Sequence, residues 1–193
     1  MNAAIDISSV RLTTARLILR PFEQKDLIDF NEYARVNGVG QMAGWLPHQS
    51  MEESAAILSM FIAEKKTFAL ELADAHKVVG SLGIEELSFE PDTSCAALRG
   101  REIGYVLSRD HWGRGLMPEA VKAAMAYCFY GAGCDYLTIA HFDFNTQSRR
   151  VIENAALPIC GTEKFPRPRA NFMPFFTPKC APDAQVLFHR NGA

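Results

Sequence analysis

The run Ser108-Arg109-Asp110-His111-Trp112-Gly113-Arg114-Gly115-Leu116-Met117-Pro118-Glu119-Ala120 holds the most specific chemistry in the chain. The preceding residues, Arg101 to Leu107, read as a strand, being β-branched and aromatic, and Gly104 reads as a bulge. After the run, Leu116, Ala120, Val121, Ala124, Met125, Cys128 and Phe129 recur at helical spacing. Gly113 and Gly115 thus stand where a strand hands over to a helix. Such a turn leaves several backbone N–H groups unpaired and aimed at one place, and the helix dipole adds partial positive charge there. That is a site for an anion, with phosphate or diphosphate the natural ligand. An ordinary tight turn accounts for two glycines equally well. A nucleotide P-loop would need Gly-Lys-Ser/Thr where Gly115-Leu116-Met117 stands. A dinucleotide fold would need a third glycine where Pro118 stands.

The elements that must position this run follow from periodicity. Arg16 to Phe22 reads as a strand with Leu17 and Leu19 on one face. Asp26 to Arg35 reads as a helix, with Leu27, Phe30 and Ala34 at core spacing. Residues 36–49 hold three glycines and one proline and read as a loop. Ser50-Met51-Glu52-Glu53 reads as a capping box, opening a helix to Lys65 with Ile57, Leu58, Phe61 and Ile62 buried. Thr67 to Ala73 and Lys77 to Leu87 read as a hairpin about Asp74-Ala75-His76, and residues 88–100 as a connection. The helix after Gly115 runs to Tyr130 and ends at Gly131-Ala132-Gly133. Asp135 to His141 is a strand, and Asn145 caps a helix to Ala155. Cys160 to Phe165 reads as a strand. Pro166 to Pro182 holds five prolines, so it cannot be a central strand. Ala184 to Arg190 reads as a final edge strand.

The bulk properties fit one domain over residues 1–193. A hydrophobic content of 48% is enough for a core, and a net charge of −2 without a Lys/Arg run gives no sign of a nucleic-acid partner. The five cysteines, Cys95, Cys128, Cys134, Cys160 and Cys180, form no C-x-x-C pair, which argues against zinc or a disulfide framework. No apolar run is long enough to cross a bilayer and MNAAIDISSV lacks an export signal, so the expected location is the cytoplasm.

The run EIGYVLSRDHWGRGLMPEAVKAAMAYCF resembles the acetyl-CoA loop of the GNAT acetyltransferases. Its Trp-Gly-x-Gly with a following Glu-Ala is similar to the RimJ/RimL-type branch. The resemblance continues downstream in Asp143-Phe144-Asn145-Thr146-Gln147-Ser148 and upstream in LTTARLILRP, from Leu12 to Pro21. It implies an α/β fold of the α+β type: a central mixed, mostly antiparallel sheet, splayed between its fourth and fifth strands and flanked by helices. It implies acetyl transfer from acetyl-CoA to a primary amine by direct attack on the thioester. The amides of Trp112, Gly113, Arg114, Gly115, Leu116 and Met117 would hold the diphosphate, with Arg114 as an added cation or a solvated loop residue. Trp112 reads foremost as packing. Tyr105, Val106 and Leu107 would flank the thioester, and the amide of Val106 or Leu107 would polarise its carbonyl. Asn145 would touch the cofactor arm, and Ser148 would give a proton to the departing thiolate.

The amine must lose a proton to attack, and Glu102, Glu85 and Glu86 are the candidate bases, directly or through water. His76 and His141 read as structural, and Glu119 as a first-turn residue favoured by the dipole. The acceptor is expected to be a protein or peptide N-terminal α-amine. A small-molecule amine, polyamine or antibiotic-like, is the alternative, and a non-catalytic acetyl-CoA-binding module the rival. No metal site is expected, and the assembly is a monomer or homodimer. The loop around Trp45 and the Phe172, Phe175 and Phe176 cluster could line a substrate mouth or fold back on the core. The chain departs from the family pattern in two places: Asp110 stands near the anion loop, and Glu153-Asn154-Ala155-Ala156-Leu157-Pro158 replaces a glycine-containing helix end.

Overall fold

The computed structural model describes residues 1–88 and 97–155, and the backbone of 184–189. Its strands are β1 (Leu12–Thr13), β2 (Leu17–Pro21), β3 (Thr67–Leu72), β4 (Val78–Glu85), β5 (Gly100–Leu107), β6 (Tyr136–His141) and β7 (Ala184–His189). Its α-helices are α1 (Leu27–Ala34), α2 (Met51–Glu64), α3 (Leu116–Ala126) and α4 (Thr146–Ala155). The strands lie in chain order in one seven-stranded sheet. Every neighbouring pair is antiparallel except β5 and β6. These two are parallel because α3 carries the chain back between them, as a strand–helix–strand crossover must.

The β5–β6 pairing stops after three residue pairs, Gly100–Tyr136, Arg101–Leu137 and Glu102–Thr138. Beyond them β5 continues to pair with β4, and β6 with β7. The strands therefore part, and the expected splay is present. One face of the sheet packs Leu19, Leu70, Leu82, Ile84 and Ile103 against Leu116, Ala120, Val121 and Ala124 of α3. The other packs Ala69 and Val78 against Phe30, Ala34 and Leu58 of α1 and α2. Cover on both faces explains why β2 is buried along almost its whole length.

Three local expectations are corrected. Gly104 is not a bulge: the register runs evenly through Gly83–Gly104, and the irregularity falls between Leu70 and Glu71. Ser50 Oγ accepts the Glu53 amide at 3.1 Å, but Glu53 reaches one residue further back, accepting from the Gln49 amide at 2.6 Å. In α2 only Leu58 of the four expected residues is fully buried, with Ile57, Phe61 and Ile62 packed at the margin. The strand expected at Cys160 to Phe165, the segment Pro166 to Pro182 and residues 156–158 lie outside the described residues.

The start of α3 is anchored from a distant part of the chain. Glu119 accepts from the Thr14 hydroxyl at 2.6 Å, the Arg16 amide at 2.8 Å and Arg16 Nε at 2.8 Å. Arg16 Nη1 also donates to the Arg114 carbonyl at 2.8 Å. Glu119 thus ties the β1–β2 turn to the glycine loop. Burial alone would raise its pKa, but the bonds from Thr14 and Arg16 hold it below the ordinary value of 4.5. A group whose folded pKa is depressed contributes stability above its unfolded pKa and loses it as pH falls. Glu119→Ala is expected to lower unfolding free energy by about 2–3 kcal/mol, the scale of hydrogen bonds to a charged group. In urea melts the gap from the wild type should be full at pH 7 and close below the ordinary carboxylate pKa. A gap unchanged at low pH would show that packing, not charge, is what Glu119 supplies.

Candidate active site

Where β5 and β6 part, a cleft of about 580 Å³ opens. Its walls come from β5, the glycine loop, the first turn of α3, one face of α4, and Val39, Met42 and Ala43 of the α1–α2 loop. Tyr105, Val106, Leu107, Trp112, Gly113, Gly115, Leu116, Met117, Asn145, Ser148, Glu102 and Glu85 all line it. Arg114 stands exposed on the loop beside it, with Asp110 also exposed.

Gly113 and Gly115 both have φ of 74°, a left-handed backbone that glycine adopts without strain. A Cβ on Gly113 would meet nothing within 4 Å, so the backbone angle is what calls for glycine there. Gly115 is the N-cap of α3, which has no side-chain cap. Among the described residues, nothing accepts a hydrogen bond from the amides of Gly113, Arg114, Gly115, Leu116 and Met117. Donors at a helix start, four of them on residues that line the cleft, fit a diphosphate. The coenzyme implied by the loop therefore suits the residues present.

The register shows which β5 amides are free. Ser108 donates to Val79, the residue opposite it, at 2.7 Å. In an antiparallel ladder every second pair is so bonded, so the amides of Val106, Gly104 and Glu102 turn to β4. Those of Tyr105 and Leu107 turn to the splay, where β6 no longer meets them. Of the two amides expected beside the thioester carbonyl, the register favours Leu107 over Val106. Trp112 is a packing residue as read: its indole Nε1 donates to the Leu107 carbonyl at 2.8 Å, and its ring touches both core clusters.

Across the cleft, Asn145 Oδ1 caps α4 by accepting the Ser148 amide at 3.0 Å. Its Nδ2 donates to the Met42 carbonyl at 3.0 Å, which joins α4 to the α1–α2 loop. Ser148 Oγ lies 2.8 Å from the Tyr105 hydroxyl. Burial pushes the Tyr105 pKa up to about 12, so this phenol keeps its proton.

At the narrow end of the splay, Glu102 is half-buried and faces Glu85 across the β4–β5 ladder. Burial raises the Glu102 pKa and the Glu85 charge raises it further, against hydrogen bonds from the Ser88 and Thr138 hydroxyls. The Ser88 hydroxyl is 2.7 Å away. Glu85 forms an ion pair with Lys66 at 2.7 Å. Glu86 is exposed and does not line the cleft. His76 sits in the β3–β4 turn with φ of 52° and lies 3.0 Å from Glu71, away from the cleft.

His141 does line the cleft, its Nδ1 2.9 Å from the Phe142 carbonyl. Trp45 packs over Gly40 and lies tilted against His48, so it folds back on the core and does not line the cleft formed by the described residues. The Phe172, Phe175 and Phe176 cluster lies outside the described residues. Sequence reading missed His111, whose pKa burial lowers and whose buried Nδ1 has no partner among the described residues. It also missed Gln147, Arg150 and Asn154, although their spacing puts them on one face of α4.

Among the described residues no helix is long and apolar enough to cross a membrane. Residues 16–157 match the family model described as "Acetyltransferase (GNAT) domain". The uncharacterized N-acetyltransferase YoaA of Bacillus subtilis is 26% identical over 152 residues, covering 73% of this chain and 78% of that protein. The fold is shared with a ribosomal-protein-S5-alanine acetyltransferase from Vibrio fischeri, at TM-score 0.62 and 17% identity over 94% of this chain and 96% of that one. It is also shared with Mycobacterium smegmatis RimJ in complex with CoA-disulfide, at TM-score 0.61 and 18% identity over 89% and 80%. With a family model spanning most of its length and the cleft that family's chemistry requires, the chain belongs to the GNAT acetyltransferases: it is an N-acetyltransferase whose acyl donor is acetyl-CoA.

Proposed function

We propose that this enzyme, of RimJ/RimL-like type and acting in the cytoplasm, acetylates protein or peptide N-terminal α-amines. The observation that carries the reading is the half-buried carboxylate pair at the narrow end of the splay. At pH 7 an α-amine near pKa 8 needs about 1–1.5 kcal/mol to shed its proton, and a lysine near 10.4 about 4.6. A carboxylate with a raised pKa can meet the first demand far more easily than the second. The named activities of the fold relatives, on S5 alanine in one case, agree with a protein acceptor.

Acetyl-CoA supplies an acyl group activated as a thioester. Around it the chain's own residues divide the work. The amides of Gly113 to Met117 hold the diphosphate, and Arg114 adds a cation beside them. Asn145 spends one amide hydrogen on Met42 and keeps the other for the cofactor arm. The amides of Tyr105 and Leu107 meet the negative charge that grows on the acyl oxygen, and one such donor contributes about 3–4 kcal/mol. Glu102 takes the proton from the incoming ammonium, and Glu85 supplies a second negative charge beside it. With the Tyr105 hydroxyl as donor to Ser148 Oγ, 2.8 Å away, the serine proton is free for the departing sulfur. A thiol near pKa 8.5 needs little such help, so Ser148 contributes modestly.

Thiol release from acetyl-CoA with an alanine-initiated peptide, spermidine and an Nα-blocked lysine peptide tests the acceptor. Turnover should be fastest with the first; preference for spermidine would replace this reading with the small-molecule one. Glu102→Gln should lower kcat about 10²–10⁴-fold, the usual worth of a general base. The wild-type kcat should fall as pH drops through the raised Glu102 pKa, and the variant should lack that limb. The KM for acetyl-CoA should stay constant. Gly115→Trp places a large side chain at a left-handed position among the free amides, and calorimetry should find coenzyme A binding lost. Normal binding would contradict the loop's role.

A further inference from the structure

On β4 and β5 the residues facing away from α3 pair across the ladder as Ser81–Val106, Gly83–Gly104 and Glu85–Glu102. Two glycines therefore lie side by side, directly next to two carboxylates. A Cβ on Gly104 would meet nothing within 4 Å, because that face opens into the cleft. Gly83 differs. A Cβ there would overlap Glu85 Oε1. The Glu85 side chain thus does not stand out from its own position. It lies back along β4 across the bare backbone of Gly83.

Lys66 holds it there. Its carbonyl accepts the Ile84 amide at 2.9 Å, which fixes it beside the end of β4. Its ammonium lies 2.7 Å from Glu85 and 3.3 Å from Glu64. Lys66 is mostly buried, at 13% side-chain exposure, while Glu85 keeps 34%. A long carboxylate arm is costly to hold in one rotamer. An empty neighbour on one side and a buried cation on the other remove most of that freedom.

We propose that Gly83 and Lys66 are positioning residues: Gly83 leaves the space, and Lys66 the charge, that seat the Glu85 carboxylate over Gly83, beside the open space at Gly104, as the anchor for the acceptor's ammonium. The inference rests on the reading that this end of the cleft receives the amine. It separates the two carboxylates by task. Glu102, half-buried and raised in pKa, moves the proton. Glu85, paired with Lys66, holds the amine before the proton leaves. Environments that differ in this way give neighbouring carboxylates different roles.

Gly83→Ala is suited to the test because the atom displaced is the far end of a flexible side chain, so the ladder itself need not move. With whichever amine of the panel above turns over fastest, Gly83→Ala should raise the acceptor KM about tenfold. Glu85→Gln should do the same, and the double variant should be no worse than Glu85→Gln alone. The KM for acetyl-CoA and coenzyme A binding by calorimetry should be unchanged in all three. Lys66→Met should reproduce the acceptor effect from the other side. Crystals of Gly83→Ala should show the Glu85 carboxylate moved off Lys66. An unchanged acceptor KM in Gly83→Ala, a full additional loss in the double variant, or a carboxylate still on Lys66 would overturn the role of Gly83 while leaving the amine end in place. A silent Glu85→Gln with a crippled Glu102→Gln would remove Glu85 as the anchor. Both silent would move the amine end elsewhere, taking this inference with it.

Discussion

A parallel strand pair that ends after three residue pairs sets the terms for the rest of this molecule. Main-chain polar groups inside a protein must find partners, and a buried donor without one costs about 1–3 kcal/mol. When β5 leaves β6, the amides of Tyr105 and Leu107 lose the neighbour that a continuous sheet would give. The chain then turns through two left-handed glycines into a helix with no side-chain cap, and five more amides find no acceptor among the described residues. The result is one row of donors from the middle of β5 to the first turn of α3. A ligand with a carbonyl at one end and a diphosphate at the other can satisfy that row.

Holding the strands apart needs props on both sides. On the α3 side, Trp112 takes the Leu107 carbonyl and wedges its ring between the two core clusters. Across the gap, the Tyr105 hydroxyl bridges to Ser148. Asn145 caps α4 and binds the α1–α2 loop at once, so one amide side chain sets the distance between two walls. From outside, Arg16 and Glu119 clamp the glycine loop to the first hairpin. Each prop also carries or adjoins a group with chemistry to do. The rigidity of the scaffold and the placement of the reactive groups are the same set of contacts.

These props differ in how far the sequence reveals them. The glycine loop is legible because its message is local: two glycines, a helical period after them and a strand before. The Asn145 cap is equally local. The Glu119 clamp is not, since Thr14 and Arg16 stand over a hundred residues away and no pattern links them. Glu119 reads from sequence as a dipole-stabilised first-turn residue, which it is, but that reading misses its partners. Trp45 misleads because a tryptophan among glycines in a loop resembles an exposed residue, whereas Gly40 makes room for its ring to lie down. Gly104 misleads in the opposite sense. A glycine within a strand suggests a bulge or a close approach, and here it marks open space.

The contrast explains why the donor half of the site is plainer in sequence than the acceptor half. Binding a diphosphate requires a particular backbone, and glycine at a helix start declares it. In the proposed acceptor site, side chains are absent at Gly83 and Gly104 and carboxylates are present at Glu85 and Glu102. None of these four is informative alone. Glu85 and Glu86 look alike in sequence as strand-end acids. Only the register, pairing Glu85 with Glu102 and Gly83 with Gly104, turns one of them into the cleft and leaves the other in water. A shift of one residue would exchange their faces. The even register through Gly104, where sequence suggested a bulge, is therefore what decides which glutamate faces the cleft.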